Sequence, residues 1–270
     1  MSTEQHRIKE LVKERYGARA ERVINLTPAE LNHTNGDSCG YPSDGACCGV
    51  EDLDHAMLLY NKGQLAGLPA ESIAASAGCG NPTALAGLQP GERVLDLGSG
   101  GGIDCFLASQ QVGDTGKVTG LDMTPSMLEL ARANKAKLGI TNVDFMQGEM
   151  EKMPIPDSSV DVIISNCVVC LSPDKDAVFT ESFRVLSPGG RIHLSDVMAL
   201  TDEGPSVSSP DDWVSCTAGA EYVDVYRDRL VRAGFKEIEF TSEQVDYMKA
   251  DSERPPTNTA GYKVVARKPS

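Results

Sequence analysis

The sequence predicts an α/β fold: a parallel sheet whose strands are joined by crossover helices. Three observations carry this. Short apolar runs recur along the chain, and helical patterns of roughly 10–15 residues separate them. The runs are apolar almost throughout, as in strands covered on both faces. One run ends in glycines that lead into a helix, Asp96-Leu97-Gly98-Ser99-Gly100-Gly101-Gly102.

Residues 6–16 place Ile8, Leu11 and Val12 on one side of a short helix, which Gly17 should end. Residues 32–49 are rich in Gly, Asn, Asp and Ser and read as a loop; it carries Cys39, Cys47 and Cys48. Residues 72–77 form a helical turn before Gly78-Cys79-Gly80-Asn81-Pro82. Residues 94–97, 118–122, 143–146, 160–165 and 191–194 are the five strands of the regular part. Helices at 103–110, 125–138 and 175–186 lie between them, the second with Thr124 as N-cap and Pro125 at N1. Pro188-Gly189-Gly190 closes the third. The pattern breaks after Leu200. A Gly/Pro/Ser/Asp linker spans 203–212, a helix 223–233, and closing strands 237–240 and 262–266. No internal repeat is present. The expected division is an N-terminal extension at 1–75, a core at 76–200 and a C-terminal region at 201–270.

Over 270 residues, 25 Lys and Arg face 39 Asp and Glu, a net charge of −14. Such a chain repels polyanions, which argues against nucleic acid as a partner. No basic amphipathic stretch marks a membrane surface, and no apolar run approaches the ~18 residues of a membrane span. Residues 1–10 are charged rather than apolar, so no export signal is expected. The expected setting is cytoplasmic, with a monomer as the default. There the eight cysteines are expected as reduced or catalytic thiols rather than disulfides.

Glycines after a strand let the backbone turn tightly and a ligand approach the main chain. Asp122 ends the next strand, where a carboxylate can accept hydrogen bonds from ribose hydroxyls. The loop departs from a dinucleotide site. Its third glycine, Gly102, comes one position early, and Asp96 precedes it. No P-loop Lys-Ser/Thr pair is present to hold phosphate. Asp96 would repel pyrophosphate and suits a cationic ligand.

The thiols are the unusual feature. Cys167 ends the fourth strand, and ligands of open α/β sheets bind beyond the carboxyl ends of the strands. Cys216 follows the linker, where a cap over the site would lie, and Cys79 sits in the turn before the core. The four histidines, His6, His33, His55 and His193, are scattered and offer no acid–base pair. Cys105 and Cys170 read as small buried hydrophobes. Cys167-Val168-Val169-Cys170 has C-x-x-C spacing but leaves a strand rather than opening a helix. Zinc is disfavoured, since paired C-x-x-C and finger-spaced histidines are missing. Trp213 is either a packing anchor or a wall of the substrate site. Asn166 either binds in the site or caps the strand end.

Taken together, Gly78 to Pro82, LDLGSGGGIDC at 95–105, Asn166-Cys167-Val168-Val169 with Leu171 to Lys175, and Asp212-Trp213 with Cys216 to Ala220 resemble the arsenite methyltransferases. The glycine loop by itself resembles motif I of class I methyltransferases. The resemblance implies a Rossmann-like class I methyltransferase sheet with an N-terminal extension and a small α+β C-terminal substrate-binding domain. It implies S-adenosyl-L-methionine as cofactor, bound in the core by Asp96, Gly98, Gly100, Gly102 and Asn166. Asp122 and Met123 would lie at the ribose, and Glu149 and Met150 beside the adenine. Cys167 and Cys216 would bind As(III). Cys79, also near the arsenic, would relay oxidising equivalents with Cys47 or Cys48. Thioredoxin or glutathione would be the thiol reductant, and a small arsenical the substrate. The sequence departs from the family at Cys170, where an apolar or amide residue is usual, and at the additional Cys39; either could be an extra arsenic ligand or relay thiol. Two rival readings stand beside this one: a methyltransferase of a small organic substrate, and a non-catalytic metalloid- or zinc-binding regulator.

Overall fold

The computed structural model describes residues 3–27, 56, 59–82, 86–204, 213, 217–243 and 258–270. Cys39, Cys47, Cys48 and Cys216 lie outside the described residues.

Helix α1 (Thr3–Asn25) does not stop at Gly17 but runs through it. Glycine costs a helix interior up to about 1 kcal/mol against alanine, and here packing outweighs that. The residue is buried where α1 crosses a later helix, and a Cβ there would stand 3.4 Å from the Ser126 Oγ. Ile8, Val12, Ala20 and Val23 form the buried side of α1. Two short helices follow, α2 (Lys62–Leu65) and α3 (Ala70–Ala74). A reciprocal capping box between Asn61 and Gln64 starts α2.

The regular part then alternates as expected: β1 (Arg93–Leu97), α4 (Ile103–Val112), β2 (Lys117–Asp122), α5 (Pro125–Leu138), β3 (Val143–Gln147), β4 (Val160–Asn166), α6 (Lys175–Val185) and β5 (Leu186–Ala199). Thr124 occupies the N-cap position of α5, yet its side chain makes no capping bond there. Its N–H donates to the Asp122 Oδ1 at 2.8 Å instead. Strand β5 is far longer than residues 191–194. Beyond Leu194 it continues by pairing with β8, in register from Arg191 opposite Arg267 to Ala199 opposite Thr259, and at its start Leu186 pairs with Val160 of β4, so Pro188-Gly189-Gly190 lies within the strand. β6 (Glu221–Tyr222), α7 (Val223–Ala233), β7 (Lys236–Glu243) and β8 (Thr259–Arg267) complete the chain.

All eight strands belong to one sheet of order β3-β2-β1-β4-β5-β8-β7, with β6 beside the end of β5. β1 to β5 are parallel, whereas β8 runs antiparallel to β5 and β7 to β8. Alternation along the strands builds a core on each face. Leu95, Leu97 and Ile163 join Phe179, Tyr226 and Phe235 on one side. Val94, Val162 and Ile164 join Phe106, Val112 and Val118 on the other.

Strand order reverses between β1 and β4, so the loops leaving these two strands diverge around a crevice. They are in close contact. A Cβ on Gly98, whose φ is 68°, would lie 2.5 Å from the Val168 side chain, so only glycine fits there.

Phe106 is fully buried and meets Phe145 edge-on, ring centroids 5.9 Å apart. We predict that Phe106→Ala lowers stability by about 3–5 kcal/mol, measured by urea unfolding. A loss below about 1 kcal/mol would mean this face of the sheet is not a packed core.

Candidate functional site

A cavity of about 960 Å³, its open mouth included, lies over the carboxyl ends of β1, β2 and β4. The sequence-predicted residues Gly98, Gly100, Asp122, Met123, Met150, Asn166 and Cys167 all line it. Asp96, Gly102, Glu149 and Cys79 do not. Gly102 serves packing: at φ 91° a Cβ would meet the Phe106 and Phe145 rings at 2.8 and 2.9 Å. Gly100 and Asp122 are joined directly, the Gly100 N–H donating to Asp122 Oδ2 at 2.9 Å. Asp122 thus holds the glycine loop against the end of β2. The buried Ser99 Oγ lines the cavity without a hydrogen-bond partner among the described residues.

Asn166, the last residue of β4, ties the N-terminal part of the site to the sheet. Its Oδ1 accepts from the N–H groups of Cys79 and Gly80 at 2.9 and 3.0 Å. Its Nδ2 donates to the Gly80 carbonyl at 2.7 Å, to the Tyr60 hydroxyl at 2.9 Å and to Asp104 Oδ2 at 3.2 Å. The approach is so close that a Cβ on Gly78 would lie 2.3 Å from the Asn166 amide. This amide therefore braces the strand end, one of the two roles the sequence allowed, and it also lines the cavity. It also brings Cys79 into one buried cluster with Cys167 and Cys170, although 88 residues separate Cys79 from Cys167 in the chain.

Three carboxylates converge under the glycine loop, and none makes an ion pair among the described residues. Asp96 is buried below it, and the Cys105 thiol donates to its Oδ2 at 3.2 Å. Burial, then the charge of Asp104, pushes Asp96 well above the usual carboxylate range. Burial likewise raises Asp122, against the hydrogen bonds from Thr124 and Gly100. Asp104, in the first turn of α4, is raised by burial to about 6, although Asn166 and Tyr60 donate to it. Burial and the neighbouring Asp96 keep Cys105 protonated, so it acts as a structural donor. Buried carboxylates without cations favour a positively charged ligand, whose binding would restore their ionisation.

Lys9 on α1 is also buried and lines the cavity. It pairs with Glu149 at 2.8 Å and Glu151 at 3.0 Å. Burial opposes its charge, but the hydrogen bonds to both glutamates outweigh burial and raise its pKa. Glu149 is therefore engaged with α1, and Met150 and Glu151 face the cavity. Lys9, Tyr60, Asp104 and Glu151 were not singled out in the sequence. Only Asp104 carried a signal there, as an acid in the first helical turn after the glycines.

Cys167 has φ 59°, an uncommon conformation for a non-glycine residue and one that clusters at functional sites. Its N–H donates to the Ser195 carbonyl at 2.7 Å. Trp213 packs against the thiol cluster, and its Nε1–H donates to the Leu171 carbonyl at 3.0 Å. Cys79, Cys105, Cys167 and Cys170 are all buried and not disulfide-bonded.

Two predictions follow from this geometry. Asn166→Ala removes the bridge between β4 and the Gly78–Gly80 turn, and should cost about 2–3 kcal/mol in chemical unfolding. A neutral outcome would show that the turn docks without it. The folded-state pKa of Asp104, about 6, exceeds its ordinary 3.8. The folded chain then holds more protons than the unfolded one across that window, so stability falls as pH rises through it. Asp104→Asn should flatten this part of the stability–pH curve; an unchanged slope would assign it to other groups.

Comparison with known proteins places this geometry in a family. The methyltransferase domain family matches residues 88–251. The chain is 43% identical over 239 residues to an arsenite methyltransferase of Halobacterium salinarum, covering 86% of this chain and 58% of that one. It is 38% identical over 213 residues to an arsenite methyltransferase of Aquipseudomonas alcaligenes, again over 58% of that protein. The chain thus spans little more than half the length of these two relatives. A crystal structure of an arsenic(III) S-adenosylmethionine methyltransferase from Chlamydomonas reinhardtii superposes with a TM-score of 0.62 at 37% identity, over 77% of this chain and 72% of that chain. With its β3-β2-β1-β4-β5-β8-β7 sheet and buried thiol beside the glycine loop, the chain belongs to the arsenite methyltransferase family of class I methyltransferases.

Proposed function

We propose that this protein transfers methyl groups from S-adenosyl-L-methionine to trivalent arsenic held on its own thiols, a detoxifying reaction. The observation that carries this is Cys167: a buried thiol in left-handed backbone at the end of β4, on the wall of the cavity that Gly98, Gly100 and Asp122 also line. The cavity fits a cationic cofactor, because three buried carboxylates adjoin it with no ion-pair partner among the described residues, and the Ser99 hydroxyl has no hydrogen-bond partner among them. When bound, S-adenosyl-L-methionine supplies an electrophilic methyl group on a sulfonium.

The protein's part is binding and orientation. Asp122 and Met123 would hold the ribose and Met150 would flank the adenine, with Glu149 fixing the nearby loop through Lys9. Asp104 and Asp96 would set the negative field that favours the cofactor's positive charge. As(III) is soft and binds thiolate, so Cys167 would hold it, with Cys216 from the C-terminal region as second ligand. Arsenic bound by sulfur keeps a lone pair, which would be the nucleophile toward the methyl carbon, with the sulfonium sulfur taking the C–S electron pair and leaving as S-adenosylhomocysteine. No general base is needed, and proximity is the main catalytic factor.

Transfer leaves arsenic formally pentavalent, and two electrons return it to As(III). A dithiol supplies them by closing to a disulfide. We assign this to Cys79 with Cys47 or Cys48, reset by thioredoxin or glutathione. In the same reading residues 1–75 contribute one relay thiol, 76–200 the cofactor site with Cys79 and Cys167, and 201–270 the cap, in a cytoplasmic monomer. No helix of the described residues is long and apolar enough to cross a membrane.

S-adenosylhomocysteine formation with arsenite and excess thiol tests the reaction. Wild type should turn over, and Cys167→Ser should lose at least about a hundredfold in rate while still binding the cofactor by calorimetry. Equal rates in the two proteins would discard the arsenic site and leave a methyltransferase of a small organic substrate. Arsenical binding with no S-adenosylhomocysteine would favour a metalloid-binding regulator.

A further inference from the structure

Cys170 has no part in the transfer described above, yet it is placed with unusual care. It lies on the 3-10 turn Val169–Leu171 and is almost fully buried. The sulfurs of Cys167 and Cys170 and a carboxylate oxygen of Asp196 lie within 4.8 Å of one another. Several contacts fix this arrangement. The left-handed backbone at Cys167 lets the chain leave β4 and turn back within three residues. Asp196, on neighbouring β5, accepts from the Val197 N–H at 3.1 Å, the Cys170 N–H at 3.4 Å and the Tyr226 hydroxyl at 3.2 Å. Burial and the Asp196 charge hold the Tyr226 phenol protonated, so it remains a donor. The buried Lys175 Nζ donates to the Cys170 and Ser172 carbonyls. Gly219 presses on the Cys170 carbonyl so closely that any side chain there would collide with it.

We propose that Cys167 and Cys170 together chelate a monosubstituted trivalent arsenical, so that methylarsenite is held without Cys216. The proposal rests on the arsenic reading of this site. Its basis is stoichiometric. Methylarsenite carries one methyl group and two exchangeable hydroxyls, so two thiols saturate it. CH3As(OH)2 and two thiols give CH3As(SR)2 and two waters. Two As–O bonds break and two As–S bonds form, each thiol proton leaves with a hydroxide, and arsenic stays trivalent. Cys167 lines the cavity and Cys170 does not, so the arsenical meets Cys167 first and Cys170 closes the chelate. Among the described residues Asp196 has a carboxylate oxygen within 4.8 Å of both sulfurs, and it would take the Cys170 proton as sulfur attacks and return it to the departing hydroxide. Arsenite has three exchangeable oxygens, and the same pair leaves one of them for a third thiol. The two substrates therefore differ in their need for Cys216.

The chain has one tryptophan, Trp213, packed on this cluster, so its fluorescence can report binding. The test titrates methylarsenite into wild type, Cys216→Ser, Cys216→Ser/Cys170→Ser and Cys216→Ser/Cys167→Ser. Alkylation and mass measurement count the thiols consumed, and cofactor binding by calorimetry verifies that each variant is folded. Cys216→Ser should bind one methylarsenite per chain and lose two alkylatable thiols. Each double variant should bind at least about a hundredfold more weakly, because a monothiol lacks the effective concentration of the second sulfur. Equal affinity in Cys216→Ser and Cys216→Ser/Cys170→Ser would overturn the chelate, as would loss of methylarsenite binding in Cys216→Ser alone. Methylarsenite binding of the expected pattern without any arsenical-dependent turnover would leave the chelate standing and remove the methyltransferase reading instead.

Discussion

The site depends on a single amide. Asn166 stands where β4 ends, beside the point at which strand order reverses, and both ends of its side chain are engaged. An amide suits this position because it accepts and donates at once. Its oxygen takes two backbone N–H groups of the Gly78–Gly80 turn, and its nitrogen gives to that turn, to Tyr60 and to Asp104. An aspartate could not donate, and an aliphatic residue would leave the buried turn unsatisfied. The bridge therefore fixes a segment from outside the regular sheet against the one strand end that carries a left-handed cysteine.

The electrostatics follow from the same packing. Drawing Asp104 and Asp122 into a buried crevice above Asp96 disfavours their charged forms. A structural cation would cancel this, and Lys9 is near enough to the cavity to be considered. It is instead paired with Glu149 and Glu151. The negative field is thus left available to a ligand, and the chain bears the cost in its own stability until one binds. Among the described residues the one cation on the cavity lining, Lys9, is already paired, so a phosphate-bearing dinucleotide would lack a compensating charge there.

Much of this was legible in the sequence because it is local. Helices α5 and α7 match the expected residues end to end, since caps, glycine terminators and apolar spacing all lie within one segment. The glycine loop and Asp122 were readable for the same reason. What was not legible depends on distant partners. Gly17 reads as a helix terminator until α5 is packed against it. The run of β5 beyond Leu194 is set by β8, which begins 60 residues after β5 ends. Lys9 looks like one more charge on a solvated face, and only the fold brings it to Glu149 and Glu151. Asp196 lies 26 residues beyond Cys170, with no spacing rule to join them.

The division of labour in the site is the more general point. Hard, charged groups are gathered on the β1–β2 side of the crevice, where Asp96, Asp104 and Asp122 lie. Soft sulfur is gathered on the β4 side, where Cys79, Cys167 and Cys170 share one apolar cluster. Burial disfavours the charged form of the carboxylates, which a cationic ligand would relieve. A wall of sulfur suits a soft, thiophilic atom instead. In the proposed reading a cationic donor would meet Asp104 and Asp122 and a thiophilic acceptor would meet Cys167, all three on the lining of one cavity. Methyl transfer arranged in that way would need no catalytic base, and the scattered histidines would have no part in it.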